Sequence, residues 1–256
     1  MSKSITIFGL HAVRAALTAH PDTVLEVFVG AGRDDGAIRE VIECAGRAGL
    51  AVQRAREDRL AALAASQDHQ GVVARRRPLP MPELGVLLAE RMRDALIVVL
   101  DQVQDPHNLG AVLRVADAAG VDAVIVPTRR AAHLTGAACK VAAGAAESVP
   151  LIEVPNLAQA LTMLKDAGVW LTGLADDANE KVFDLDFGVP SAFVLGNEHE
   201  GIRALTRKHC DHLARIPMAG SVESLNVSTA TAVCLFEAVR QRAAVAAEQG
   251  AAAPKC

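Results

Sequence analysis

Residues 95–127 read ALIVVLDQVQDPHNLGAVLRVADAAGVDAVIVP, and the fold class is legible here. Leu96–Leu100 is an unbroken apolar run of strand length, far short of the roughly 20 residues that cross a membrane. Leu109–Ala119, rich in Leu, Val and Ala, reads as a helix, and Ala123–Val126 as a second apolar strand. Wholly apolar strands separated by a helix predict a mainly parallel sheet covered on both faces.

The same alternation continues toward the C-terminus. A helix is expected over Leu134–Ala143, a strand over Val149–Val154, a helix over Leu157–Asp166 and a strand over Val169–Leu174 that ends in a loop. Phe193–Leu195 reads as a strand followed by a helix near Arg203–His209, and Leu213–Ile216 leads to a long helix from about Asn226 to Ala246. Toward the N-terminus the pattern breaks at RRRPLPMPE, Arg75–Glu83, because proline interrupts both helices and sheet ladders. Residues 1–77 read as a smaller α/β domain, with strands near Ile5–Phe8, Val24–Val29, Leu50–Gln53 and Gly71–Arg75. Its helices fall near His11–Ala19, Asp35–Ala48 and Asp58–Ala65. The expected division is therefore a domain over 1–77, a linker over 78–94, a domain over 95–246 and a flexible tail over 247–256.

Composition narrows the function. A chain of 256 residues that is 51% hydrophobic and 22% charged can bury a large core and is not intrinsically disordered. His11 and Arg14 interrupt the apolar start, which spoils it as a secretory leader. Five cysteines with no CxxC spacing read as reduced thiols of a cytoplasmic protein. The net charge of −4 argues against coating nucleic acid by charge alone, yet residues 1–77 carry +2 and end in Arg75-Arg76-Arg77. With 3% aromatics and no Tyr, base-stacking platforms are not expected, so any RNA contact works through backbone and shape.

Several polar clusters compete as sites. Gly30–Gly36, a GxGxxxG after a strand, has the outline of a phosphate loop, but its two aspartates repel phosphate and serve better as helix caps. His209-Cys210-Asp211-His212 holds metal-binding residue types without a second ligand pair, so it reads as a helix end and no metal is expected. Ser221 and Ser224 lack the GxSxG elbow of a serine hydrolase. Three other segments stand out because each follows an apolar strand and opens a helix. They are Asp105–Arg114 (DPHNLGAVLR), Leu195–Gly201 (LGNEHEG) and Ile216–Ser228 (IPMAGSVESLNVS). Any one of them passes as a turn and a cap, with Asn108 a candidate N-cap. Three at the same end of one parallel sheet point to a site.

Together these segments resemble the SpoU (TrmH) branch of the SPOUT superfamily of RNA ribose 2′-O-methyltransferases. The chain is most similar to members that methylate a guanosine of 23S rRNA. The likeness extends through KVAAGAAESVPLI, 140–152, and into the first 77 residues, whose FGLHAVRAAL and HQGVVARRR resemble the family's L30e-like substrate-binding domain. It implies a catalytic domain with a deep trefoil knot, S-adenosylmethionine as cofactor and a homodimer. The implied reaction is 2′-O-methylation of a guanosine ribose in the peptidyl-transferase region of 23S rRNA or its ribosomal precursor. A relative acting on tRNA and a non-catalytic RNA-binding relative are the alternatives. Carried over residue by residue, the catalytic set is Asn108, Arg114, Glu198, Ser224 and Asn226. The cofactor set, mostly main chain, is Leu195, Gly196, Ile216, Met218 and Leu225. Asn197 and His199 beside Glu198 depart from the small residues usual in the family. Because a guanidinium stays protonated, Arg114 suits a bidentate clamp on a phosphate next to the reacting hydroxyl. Glu198 then orients Arg114 or accepts the proton. Arg75, Arg76 and Arg77 are the expected RNA contacts.

Overall fold

The computed structural model describes residues 4–90, 94–197 and 200–251. The chain opens with β1 (Ile5–Phe8), α1 (Leu10–Ala19), β2 (Val24–Gly30), α2 (Gly36–Arg47), β3 (Val52–Ala55), α3 (Glu57–Ala64) and β4 (Val72–Arg76). It continues with α4 (Leu84–Glu90), β5 (Leu96–Asp101), α5 (Pro106–Ala118), β6 (Ala123–Pro127) and α6 (Gly136–Ala142). Then come β7 (Leu151–Val154), α7 (Leu157–Asp166), β8 (Trp170–Leu174) and β9 (Glu180–Lys181). The last elements are β10 (Ser191–Gly196), α8 (Ala204–His209), β11 (His212–Arg215) and α9 (Val227–Ala251).

Contacts divide these elements into two compact units, and neither is one continuous stretch. The first holds the described residues up to Pro80 with Pro106–Arg114 and His133–Ser148. Its sheet runs β1-β4-β2-β3, with β4 antiparallel to both neighbours and β2 parallel to β3. Alternation along the strands sends Phe8, Phe28 and Val73 to one side, where they pack on Leu60 and Ala64 of α3. The turn His69–Gly71 ties the unit together. Gly71 sits at φ 72, where a side chain would be strained, and His69 Nδ1 accepts its N–H. Gln70 Oε1 accepts the first N–H of α1, which has no side-chain cap of its own because Gly9 precedes it.

The second unit holds the described residues of Met81–Asp105, Val115–Ala132 and the described chain from Val149 onward. Its sheet is parallel throughout and ordered β7-β6-β5-β10-β8-β11-β9. The apolar strands are buried on both faces, as expected. Ile97, Val99, Ile125 and Val194 pack with Leu157, Leu161 and Leu164 of α7 on one side, while Val98, Val124 and Phe193 alternate to the other. Burying one such Leu or Ile contributes about 1.5–3 kcal/mol.

Three local differences from the expectation have simple causes. Part of the expected 78–94 linker is helical, because the prolines end at Pro82 and Leu84, Leu87 and Leu88 of α4 pack on the core. Helix α5 starts at Pro106, three residues before Leu109, since proline fits a first helical turn that needs no N–H there. Asn108 therefore lies inside the first turn and is not the cap. Helix α9 runs on to Ala251, through an alanine-rich stretch that favours helix.

Candidate active site

Strands β8, β10 and β11 are parallel, with β8 between the other two, so their C-terminal ends share one edge of the sheet. The segments leaving Leu174, Gly196 and Arg215, with the start of α9, enclose a cleft of about 310 Å³. Leu195, Gly196, Ile216, Met218 and Leu225 all line it, and so does Ser224. Residues separated by some 20 positions in sequence thus converge on one cavity because three strand ends converge there.

Close packing shapes its floor. A Cβ on Gly196 would lie 1.9 Å from the carbonyl carbon of Gly201, so only glycine lets the two main-chain segments approach. Asn197 bridges to Gly201, and its Oδ1 accepts the N–H of Glu200 at 2.8 Å. The loop then reaches Arg203, whose N–H and Nε donate to the fully buried Asp101 at 3.0 and 2.7 Å. Asp101 ends β5 directly beside Gly196, its register partner in β10. The loop that forms one wall is therefore clipped to the neighbouring strand. Glu198 and His199 lie outside the described residues.

Sequence reasoning missed the segment after β8. Asp176, Asp177 and, from α8, Arg207 also line the cleft. Arg207 Nη2 donates to both carboxylate oxygens of Asp177 at 2.8 and 2.9 Å, and that hydrogen bond holds the carboxyl below its ordinary range. The available signal was the loop after Val169–Leu174, which leaves the same sheet edge and carries paired aspartates. Glu200 adds a third acid and Arg215 a second cation. Apolar walls, acids at the mouth and a glycine-floored main chain fit a flat heterocycle attached to a cationic group. S-adenosylmethionine has that character. Burial pushes the Cys210 and Cys234 thiols up to about 12, so neither supplies a thiolate for covalent chemistry near neutral pH.

The remaining expected residues distribute differently. Asn226 caps α9: its Oδ1 accepts from the N–H and the hydroxyl of Ser228 at 3.0 and 2.6 Å. Ser224 lines the cleft and is exposed. Asn108 and Arg114 belong to the first unit, both on α5. Arg114 is exposed, and no described carboxylate pairs with it.

One expected RNA contact must be corrected. Arg76 is buried, at 1% exposure, and pairs with the buried Glu147, so it cannot meet a phosphate in the folded protein. Its neighbours face outward: Arg75 pairs with Glu26 at 3.0 Å, and Arg77 donates to the main-chain oxygen of Asp22. This follows from β4 itself, in which alternate residues point to opposite faces. The Gly30–Gly36 loop proves to be a helix cap, with Asp35 accepting the Ile38 N–H and bound by Arg33. At 209–212, Asp211 receives the Leu171 N–H and Lys165, while His212 stacks on Trp170. No helix among the described residues is long and apolar enough to cross a membrane.

Comparison with known proteins bears on the same regions. Residues 95–236 match the model of the SpoU rRNA Methylase family, and residues 6–82 match a model described as RNA 2′-O ribose methyltransferase substrate binding. The chain is 51% identical over 239 residues to a 23S rRNA (guanosine-2′-O-)-methyltransferase RlmB of Yersinia pestis, covering 92% of this chain and 97% of that one. It is 49% identical to the protein of that name from Ralstonia nicotianae, covering 97% and 100%. The SpoU methyltransferase AviRb of Streptomyces viridochromogenes, solved with AdoMet, superposes with a TM-score of 0.79 at 26% identity, over 94% of this chain and 91% of that one.

Proposed function

This chain belongs to the SpoU rRNA Methylase family, and we infer from that membership that it is an S-adenosylmethionine-dependent methyltransferase acting on the 2′-oxygen of a guanosine ribose in 23S rRNA. The observation that carries the reading is the convergence of Leu195, Gly196, Ile216, Met218, Ser224 and Leu225 on one cleft. When bound, the cofactor supplies a methyl group already activated on a sulfonium. Displacement at that carbon largely cancels charge, so the protein's contribution is alignment. Leu195, Ile216 and Leu225 pack the heterocycle, Gly196 and Met218 offer main chain beside it, and the acids favour the cationic end.

Arg114 is the clamp on an RNA phosphate next to the reacting hydroxyl, and Asn108, six residues earlier on α5, holds the substrate strand. Glu198 orients that arginine or takes the hydroxyl proton. Ser224 contacts the substrate from the cleft wall, and Asn226 fixes the start of α9 behind it. No step calls for a metal. Residues 1–77 supply RNA binding, with Arg75 and Arg77 as phosphate contacts. The working form is a cytoplasmic homodimer, a reading supported by exposed Phe236 and Val245 on α9 and Val222 before it.

Calorimetry with S-adenosylmethionine, paired with mapping of ribose methylation on 23S rRNA, tests the reading. Cofactor binding with a single methylated guanosine is expected. Arg114→Ala removes methyl transfer and leaves cofactor affinity within about twofold, because the clamp acts on RNA. Cofactor affinity that collapses together with transfer refutes the clamp.

A further inference from the structure

The first unit contains a cleft of about 770 Å³ in which Arg114, the phosphate clamp assigned above, is joined by side chains that carry no assigned role. Its edge carries His107 and Arg114 of α5 and Lys140 of α6, and its floor is made by Phe8 with small residues such as Ala64 and Ala137. Three basic side chains and one carboxylate, Asp68, thus share the lining with apolar and small residues.

Lys140 is built into this position. Its side chain is 28% exposed, and its Nζ sits 6.0 Å from the centroid of the Phe8 ring. Gly9, at φ 94, makes room for the stem: a Cβ there would come within 3.3 Å of Lys140 Cγ. The stem is therefore buried and its head held at the rim, which lowers the entropy lost when an anion binds. Its carboxylate partner is weak by comparison. Asp68 lies 3.5 Å away and its side chain is 80% exposed, so the pair is worth no more than about 1 kcal/mol. Arg114 has no described carboxylate partner at all.

We propose that this cleft binds the phosphodiester backbone of the substrate RNA beyond the reacting nucleotide, with Lys140 leaving Asp68 to take a phosphate and the apolar floor receiving a sugar or base face. The inference rests on the methyltransferase reading only for the identity of the RNA. A sequence-neutral contact of this kind matches a chain with few aromatics and no global positive field. Asp68 then has a defined part: it competes with RNA for Lys140 and so lowers the affinity of the cleft for any phosphate.

The experiment uses the full chain, transcribed 23S rRNA and two single variants, Lys140→Gln and Asp68→Asn. RNA affinity is measured across a salt series, and cofactor affinity by calorimetry. Lys140→Gln is expected to reduce the slope of log affinity against log salt by about 0.7–0.9 and to raise KM for RNA, with cofactor affinity unchanged. Asp68→Asn is expected to act in the opposite direction, tightening RNA binding by up to about fivefold, the value of the pair it removes. A merely structural ion pair would move both variants the same way, through stability. An unchanged slope in Lys140→Gln, or weaker RNA binding in both variants, overturns the proposal. If Lys140→Gln fails to fold, the sign of the Asp68→Asn effect still decides it. Methyl transfer by the wild-type chain is assayed separately, so loss of that activity would count against the enzyme reading while the binding slopes still judge the cleft.

Discussion

In the first unit Arg76 and Glu147 are both buried, with side chains 2% and 6% exposed. In the second, Asp101 is fully buried while Arg203 keeps 45% of its side chain in solvent. Each pair joins chain segments distant in sequence, β4 to the segment after α6 in one case, β5 to the loop before α8 in the other. The first leaves Arg76 Nη2 and Glu147 Oε2 without a hydrogen-bond partner among the described residues, and its segments line neither the cofactor cleft nor the RNA cleft. The second makes three donor contacts on one carboxylate, and the loop it holds forms a wall of the cofactor cleft. Similar chemistry thus serves folding in one unit and site geometry in the other.

The sharpest way to break that contrast is to remove one charge from the first pair. Arg76→Ala strands the Glu147 carboxylate away from water, and the expected cost is about 3–5 kcal/mol of stability, measured by denaturant unfolding. A double variant, Arg76→Met with Glu147→Leu, should recover most of that loss, because it removes both desolvated charges. Cofactor affinity per folded molecule should not change. A loss below about 1 kcal/mol in Arg76→Ala would mean that the carboxylate finds water, and the contrast between the pairs would fail.

The second pair predicts a smaller effect with a different readout. Asp101→Asn keeps the shape but loses a charge-assisted contact, worth about 1.5–3 kcal/mol. The loop from Asn197 to Arg203 then loosens, and S-adenosylmethionine affinity should fall about tenfold, the equivalent of 1.4 kcal/mol. RNA affinity and its salt slope should hold. Unchanged cofactor affinity would reduce the Asp101–Arg203 clip to a folding element like its counterpart.

What could be read from the chain differs between the two units for physical reasons. In 95–246 the expected strands are buried on both faces, so they appear as plain apolar runs, and their ends fall within two residues of expectation, while the two-residue β9 falls where a loop is expected. The residues expected to hold the cofactor lie where those runs stop, and they line one cleft. The segment after β8 went unremarked, since paired aspartates in a loop look like solvated surface until the sheet order places them beside Gly196. Three-dimensional order also explains Arg76. In RRR the charge is visible but the pleat is not. Only pairing of β4 with both β1 and β2 shows that the middle arginine turns inward to Glu147, 71 residues away. Helix α4 was obscured by the prolines just before it. The partnership of 106–114 and 133–148 with the N-terminal segment has no local signal, because it depends on packing such as the approach of Gly136 to the Thr6 carbonyl.

The mildest test asks how much of the arginine cluster still reaches RNA once its middle member is assigned to the core. Arg75 and Arg77 are exposed, but each is engaged, Arg75 by Glu26 and Arg77 by the Asp22 carbonyl. Exposed partners of that kind cost little to exchange for phosphate, because water already screens them. Changing both to glutamine while keeping Arg76 should therefore reduce the slope of log RNA affinity against log salt by about one and a half units, the release expected for two phosphate contacts. The loss should be alike for 23S rRNA and for an unrelated RNA, since phosphate contacts position a strand without reading its sequence. Stability should stay within about 0.5 kcal/mol of the parent chain, in contrast to Arg76→Ala. A slope that does not move would assign Arg75 to the solvated face of β4 and Arg77 to the solvated chain just after it, and leave RNA capture to the Lys140 cleft.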